Sequence, residues 1–163
     1  DGLTSPIDVD STGFTLSGCR VLTADSDGQC AVAVLTDANA SRLTVENCYF
    51  LGTTAGNETA IRIVGGNEHV IRNNYFHGLY ATTQGAVHNV TTACEDVLVE
   101  GNYIFNETAD STKALVFVAA STGIIANNMM QILEALVPIT GAAMSWVGGN
   151  YVAGTVATAG TLI

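Results

Sequence analysis

Few side chains in this sequence have the chemistry to move a proton, hold a metal or act as a nucleophile. Glu46, Arg72 and Glu100 recur at one place in three similar segments, Val45-Glu46-Asn47, Ile71-Arg72-Asn73 and Val99-Glu100-Gly101. Two carboxylates around a cation suit acid–base work at a glycosidic bond. They equally suit an alternating ladder of opposite charges on neighbouring strands, and the strict alternation favours the ladder. Glu68-His69 and Glu95-Asp96 form a second group in matching turns. With His69 they would make a small acidic site for a cation, or they line solvated turns. Arg62 and His88 share a third column, whose neighbours Ala33 and Val116 bring no carboxylate. No phosphate loop, Ser-His-Asp arrangement or Cys-His pairing stands out. The sequence therefore offers no catalytic residues, no metal ligands and no cofactor site. Cys19, Cys30, Cys48 and Cys94 are spaced like neither a zinc site nor a CxxC pair.

These residues are positioned by a repeat. Val70-Ile71-Arg72-Asn73-Asn74-Tyr75-Phe76 has counterparts in Val45-Glu46-Asn47-Cys48-Tyr49-Phe50, Val99-Glu100-Gly101-Asn102-Tyr103-Ile104, Ile125-Ala126-Asn127-Asn128-Met129-Met130 and Val147-Gly148-Gly149-Asn150-Tyr151-Val152. Leu16-Ser17-Gly18-Cys19-Arg20-Val21 is a degenerate first copy. One register runs through all six: Cys19, Cys48, Asn74, Asn102, Asn128 and Asn150, at steps of 29, 26, 28, 26 and 22 residues. A period in the twenties marks a repeat architecture. A second strand opens near Ala in each copy, at Ala31, Ala60, Ala86 and Ala114, with Ala135-Leu136-Val137-Pro138-Ile139 as a looser match. A third short strand follows the register, and Gly, Thr, Asn and Asp fill the gaps.

Three short strands per copy predict an all-β fold, a single-stranded right-handed parallel β-helix of about six coils with an Asn/Cys ladder. Strand alternation puts Val45, Ile71, Val99, Ile125 and Val147 inside. Asn at the register tolerates the left-handed backbone of a tight turn. Its stacked amides can hydrogen-bond along the axis and so avoid burial without a partner. Cys19 and Cys48 are read as stacked buried thiols or as a disulfide pair. The expected organisation is an N-terminal arm or cap over residues 1–12, the β-helix over 13–152 and a C-terminal tail over 153–163, in one domain.

Composition narrows the function. Five Lys plus Arg against fifteen Asp plus Glu give a net charge of −10, which makes nucleic acid a poor partner. No apolar run approaches the ~20 residues of a spanning helix, so no membrane partner is expected. The N-x-S/T triplets at Asn39, Asn57, Asn89 and Asn106 are read as chance occurrences in an Asn- and Thr-rich chain. After the register stands a stripe: Arg20, Tyr49, Tyr75, Tyr103, Met129 and Tyr151. Facing outward it marks an interaction surface; facing inward it is core. From Ala114 to Ile163 the one charged side chain is Glu134, with Lys113 just outside. The apolar end Leu162-Ile163 and the open edges of a β-helix also call for cover. Tyr49, Tyr75, Tyr103, Met129, Tyr151, Leu162 and Ile163 are the interface candidates.

The recurring Val-x-x-Asn-Tyr-Phe segments with their asparagine stack resemble the right-handed parallel β-helix of the pectate-lyase-like superfamily over residues 14–152. That resemblance implies the fold and says little about activity, since the superfamily spans pectate lyases, polygalacturonases, phage tailspikes and non-catalytic virion proteins. The lyase pattern of calcium-binding carboxylates beside a base is not convincing here. The Gly-His-Gly of polygalacturonases is absent, because Phe76 precedes His77-Gly78. The small size and the Ala/Thr/Gly-rich C-terminal part are similar to short β-helix proteins of tailed phages. This implies a non-enzymatic virion structural protein, a homotrimeric decoration or cement protein on the capsid exterior. Its partners would be itself and the major capsid protein or another virion protein, with the N-terminal arm as the capsid contact. The alternatives are a tailspike-like carbohydrate-binding or polysaccharide-degrading module, or a self-associating adhesin fragment, either of them extracellular.

Overall fold

A computed structural model describes residues 2–25, 28–52, 58–81, 83–89, 91–109, 113–118, 120–132, 138–141, 143–154 and 161–162. Three parallel sheets run side by side along one axis. Sheet A contains Ile7–Val9, Val32–Thr36, Thr59–Ile63, Val87–Asn89, Leu115–Val116 and Ile139–Thr140. Sheet B contains Thr15–Ser17, Thr44–Glu46, Val70–Arg72, Val97–Glu100, Gly123–Ala126 and Trp146–Gly148. Sheet C contains Arg20–Leu22, Tyr49–Gly52, Tyr75–Gly78, Tyr103–Asn106, Met129–Ile132 and Tyr151–Gly154, with Thr161–Leu162 antiparallel on its last strand. The chain visits A, B and C in turn and then returns to A one step further along. The result is an all-β parallel β-solenoid of about five turns, and no helix occurs among the described residues. Ala24–Asp25 also pairs antiparallel with Gly28–Gln29.

Each sheet contributes one inward column. Val45, Ile71, Val99 and Ile125 are in register in sheet B and fully buried. Phe50, Phe76, Ile104 and Met130 do the same in sheet C, and the Phe50 and Phe76 rings stack at 5.0 Å. Val34, Ile61, Val87 and Leu115 complete the core from sheet A. Burial of each such side chain contributes roughly 1.5–3 kcal/mol. Val147 holds the inward position of the last sheet-B strand yet is 39% exposed, because no further coil is stacked on it among the described residues.

The corner between sheets B and C carries the asparagine ladder. Asn102 Nδ2 donates to Asn128 Oδ1 at 2.9 Å and to the Ile71 carbonyl at 2.9 Å. Its Oδ1 accepts the Asn74 backbone N–H at 2.9 Å and Asn74 Nδ2 at 3.0 Å. Asn128 repeats this pattern, Asn74 repeats its donor half and accepts the Cys48 N–H, and Asn150 accepts at the far end. Each amide in the middle of the ladder thus uses two donors and two acceptors while fully buried. The turn itself is made by the residue before. Gly18, Asn47, Asn73, Gly101, Asn127 and Gly149 have φ between 53° and 66°. The left-handed conformation therefore belongs to these outward residues and not, as expected, to the ladder asparagines. Only Asn and Gly occur there, the two types that enter this region at low cost.

The N-terminal segment does have a role in the coils, contrary to expectation. Ile7–Val9 pairs with Val32–Thr36 as the first strand of sheet A, and Val9 is buried. Ala135, Leu136 and Val137 fall outside the described residues. Asn89 and Asn106 are buried with hydrogen-bonded amides, Asn39 is exposed, and Asn57 falls outside the described residues. Asn89 also anchors a second polar site, accepting from Val118 N–H at 3.2 Å and Ser121 Oγ at 3.0 Å.

Replacing Asn102 with Ala strands the Ile71 carbonyl and the Asn74 amide inside the core. A denaturant melt should show a loss of about 2–4 kcal/mol. A loss below ~1 kcal/mol would mean that water enters the ladder.

Candidate interaction face

The polar groups singled out in the sequence separate into small structural pairs. Arg72 lies between Glu46 and Glu100 in register, but its guanidinium meets only Glu46, at 2.8 Å. Glu100 instead accepts from Asn127 Nδ2 at 3.3 Å, and Glu46 accepts from Ser17 Oγ at 3.3 Å. This is a partial ladder on an exposed sheet, with no converging carboxylates. Glu68 pairs with Arg42 at 3.2 Å on the surface. His69, read as part of a cation site or of a solvated turn, is instead fully buried. Its Nδ1 accepts the Leu43 N–H at 3.3 Å and its Nε2–H donates to the Gly65 carbonyl at 3.0 Å. Both ring nitrogens are spent on backbone, and burial lowers the imidazole pKa. No group of three or more His, Cys, Asp or Glu residues suited to a metal ion occurs among the described residues.

The Arg62–His88 column differs from its expected form in two ways. The register neighbour of Arg62 is Leu35, while Ala33 is buried. A carboxylate does join: Glu58, in the turn just before the strand, pairs with Arg62. Gln84 Oε1 accepts from Arg62 Nη2 at 3.3 Å and from His88 Nδ1 at 3.2 Å. Burial and the nearby guanidinium lower the His88 pKa, and Glu58 opposes them. The four side chains form one linked polar group on the flank of sheet A, although Arg62 Nε is buried without a partner.

The outer face of sheet C has a different character. Arg20, Tyr49, Tyr75, Tyr103, Met129 and Tyr151 stand in register along it and point away from the core. Tyr103 is 47% exposed, and Met129 and Tyr151 are similarly open. Tyr49 and Tyr75 stack at 4.9 Å with planes 6° apart, and Tyr103 continues the stack at 6.3 Å. The Arg20 guanidinium closes it, 5.7 Å from the Tyr49 centroid. With ring faces turned to one another along the axis, mainly edges reach solvent. A second column, not foreseen from the sequence, lies two residues on: Leu51, His77, Phe105 and Gln131. Phe105 packs at 5.3 Å from Tyr75, and His77 sits edge-on to both rings while pairing with Glu107 at 3.0 Å.

Towards the C-terminal end this face turns the corner into sheet B. Ile124 and Trp146 are paired in register there and exposed at 42% and 50%. The indole lies across Gly148, where a Cβ would come within 2.6 Å of it. A shallow groove of about 350 Å³ follows the corner, lined by Gly101, Asn127 and Gly149 with Tyr103, Met129 and Tyr151. Every large apolar residue that is strongly exposed among the described residues therefore lies on this corner or on the open end beside it. The backbone of Leu162 pairs with Tyr151 at its edge, and Ile163 falls outside the described residues.

Fold and site together define a parallel β-solenoid with one aromatic flank. No family model matches the chain, and neither a curated protein nor a solved structure matches it.

Arg72→Ala should cost less than ~1 kcal/mol in a denaturant melt, because its ion pair is half exposed. His69 gives a larger effect of pH. Its folded pKa lies below the unfolded value of about 6.5, so its contribution is complete above that value and is lost as pH falls. Stability measured from pH 7.5 to 5 should decline below about 6.5. His69→Gln should lower stability at pH 7.5 and flatten that decline, and an unchanged slope would assign it to other groups.

Proposed function

We propose that this protein is a non-enzymatic structural protein that works by association through the C-terminal corner of its solenoid. The observation that carries this reading is the concentration of exposed Tyr103, Met129, Tyr151, Ile124 and Trp146 on one corner. All but Tyr103 sit in a stretch where Glu134 is the one charged side chain after Lys113. Clustered aromatic and Met side chains with few charges suit the buried centre of a protein interface. The setting that fits best is a virion, with three copies side by side as a decoration or cement protein on the capsid exterior. In support stand the small size and the similarity of the sequence pattern to short tailed-phage β-helix proteins.

A carbohydrate-binding module is the second reading, favoured by the row of tyrosines. It has less support, because sugars stack on aromatic faces and those of Tyr49 and Tyr75 are turned to each other.

Light scattering at micromolar concentration should give a trimer of the 16.9 kDa chain. The double variant Tyr103→Glu/Tyr151→Glu should weaken association by roughly 10–100-fold while leaving the melting curve of the monomer intact. A monomeric wild type, or a trimer indifferent to both charges, would remove the corner as the interface. Co-sedimentation with capsid shells, absent for the variant, tests the virion setting separately.

A further inference from the structure

The asparagine ladder ends in two thiols. Cys48 takes the place of an asparagine: its N–H donates to Asn74 Oδ1 at 3.0 Å, and its Sγ accepts the Cys19 N–H at 3.4 Å. Cys19 occupies the same position one coil further towards the N-terminal end. The strands that follow pair Arg20 with Tyr49, and the Tyr49 N–H donates to the Cys19 carbonyl at 2.8 Å. Neighbouring strands of this kind lie about 4.8 Å apart, inside the Cα separation that a disulfide spans. Both side chains leave the backbone in the same direction, so a bridge needs the two Cβ atoms to approach by about 1 Å. Among the described residues the strands on either side of Cys19 are paired on one side only, so fewer contacts oppose that approach.

The four cysteines are not equivalent. Cys30, Cys48 and Cys94 are buried, and burial raises their thiol pKa values, that of Cys94 to about 11. Cys30 Sγ–H is held on the Val32 carbonyl at 2.7 Å. Cys19 alone is partly exposed, on the wall of a cavity of about 340 Å³ at the N-terminal end, lined also by Leu3, Ile7, Leu16 and Arg20. Access, a neighbouring thiol in register and an adjacent guanidinium that attracts anions coincide at this one cysteine.

From this arrangement we infer that Cys19 is a site of covalent modification by small anionic disulfides such as oxidised glutathione, and that Cys48 resolves the adduct into a Cys19–Cys48 bridge. In the first step Cys19 loses its proton and its thiolate attacks one sulfur of the small disulfide, forming a mixed disulfide, while the S–S bond breaks and the other sulfur leaves as a thiolate that takes the proton. In the second step the Cys48 thiol loses its proton and attacks the Cys19 sulfur, and the second small thiol departs with that proton. Two protein thiols and one small disulfide give one protein disulfide and two small thiols. The bridge closes a ring across 29 residues and fastens the first coil to the second.

The test treats the reduced, folded full chain with oxidised glutathione, followed by intact mass and peptide mapping. Unreacted thiols are alkylated after unfolding. The expected product has lost two hydrogens, carries the Cys19–Cys48 linkage and keeps Cys30 and Cys94 free. Its melting temperature should rise by roughly 5–10 °C. Cys48→Ser should stop at the mixed disulfide on Cys19, and Cys19→Ser should not react. A wild-type protein that stops at the adduct, bridges through Cys30 or Cys94, or gains no thermal stability overturns the inference.

Discussion

A chain wound in parallel coils must bury the corners between its sheets, and a buried corner leaves backbone amides without a ladder partner. The stacked asparagines remove that problem. Asn102 and Asn128 each use both amide hydrogens and both acceptor sites on neighbouring coils, and Asn74 uses both hydrogens and accepts the Cys48 N–H. The arrangement works only if the coils are in register, so the polar corner fixes the spacing that the apolar columns then fill. Hydrophobic packing alone would tolerate a slip of two residues, which preserves inside and outside. Such a slip would misalign the ladder at every level, leaving several amides unpaired at ~1–3 kcal/mol each.

The same constraint separates structure from interaction. With the interior and the B–C corner committed to stacking, chemistry is left to the outward columns. On sheets A and B the outward polar residues neutralise one another locally, as Arg62 does with Glu58 and Arg72 with Glu46. On sheet C the outward residues are mostly aromatic or apolar, and towards the last turns no charged side chain accompanies them among the described residues. The solenoid is thus polar in its early coils and apolar in its late ones, a gradient along the axis that a globular core does not produce.

Much of this was legible in the sequence because a solenoid writes its contacts at a nearly fixed separation. The register, the inward valines and isoleucines and the existence of the Tyr/Met stripe follow from aligning the copies, whereas the direction in which the stripe faces does not. What was not legible depends on residues outside the aligned motif. Glu58 lies in a turn, so its pairing with Arg62 has no counterpart in other coils. His69 has the composition of a ligand, and only its burial shows that both nitrogens serve the backbone. Phe105 and His77 belong to the Tyr75 face because they lie two residues along paired strands. Applying the alternation past the motif would have found that second column. The left-handed residue was placed one position late because Asn occurs at both sites, and the alternation with Gly at Gly101 and Gly149 was the available signal.

The ladder steps of 29, 26, 28, 26 and 22 residues all return to the same corner. Coil length is therefore not a structural constant here; the loops absorb the difference while the B–C corner keeps count. The fold behaves like a text with fixed punctuation and clauses of free length. A segment excised or inserted from one ladder position to the next would preserve every vertical hydrogen bond on either side of the joint. Such a chain can lengthen or shorten by whole coils without redesign of its core, and rod length becomes a property that recombination can tune independently of the surface carried at the end.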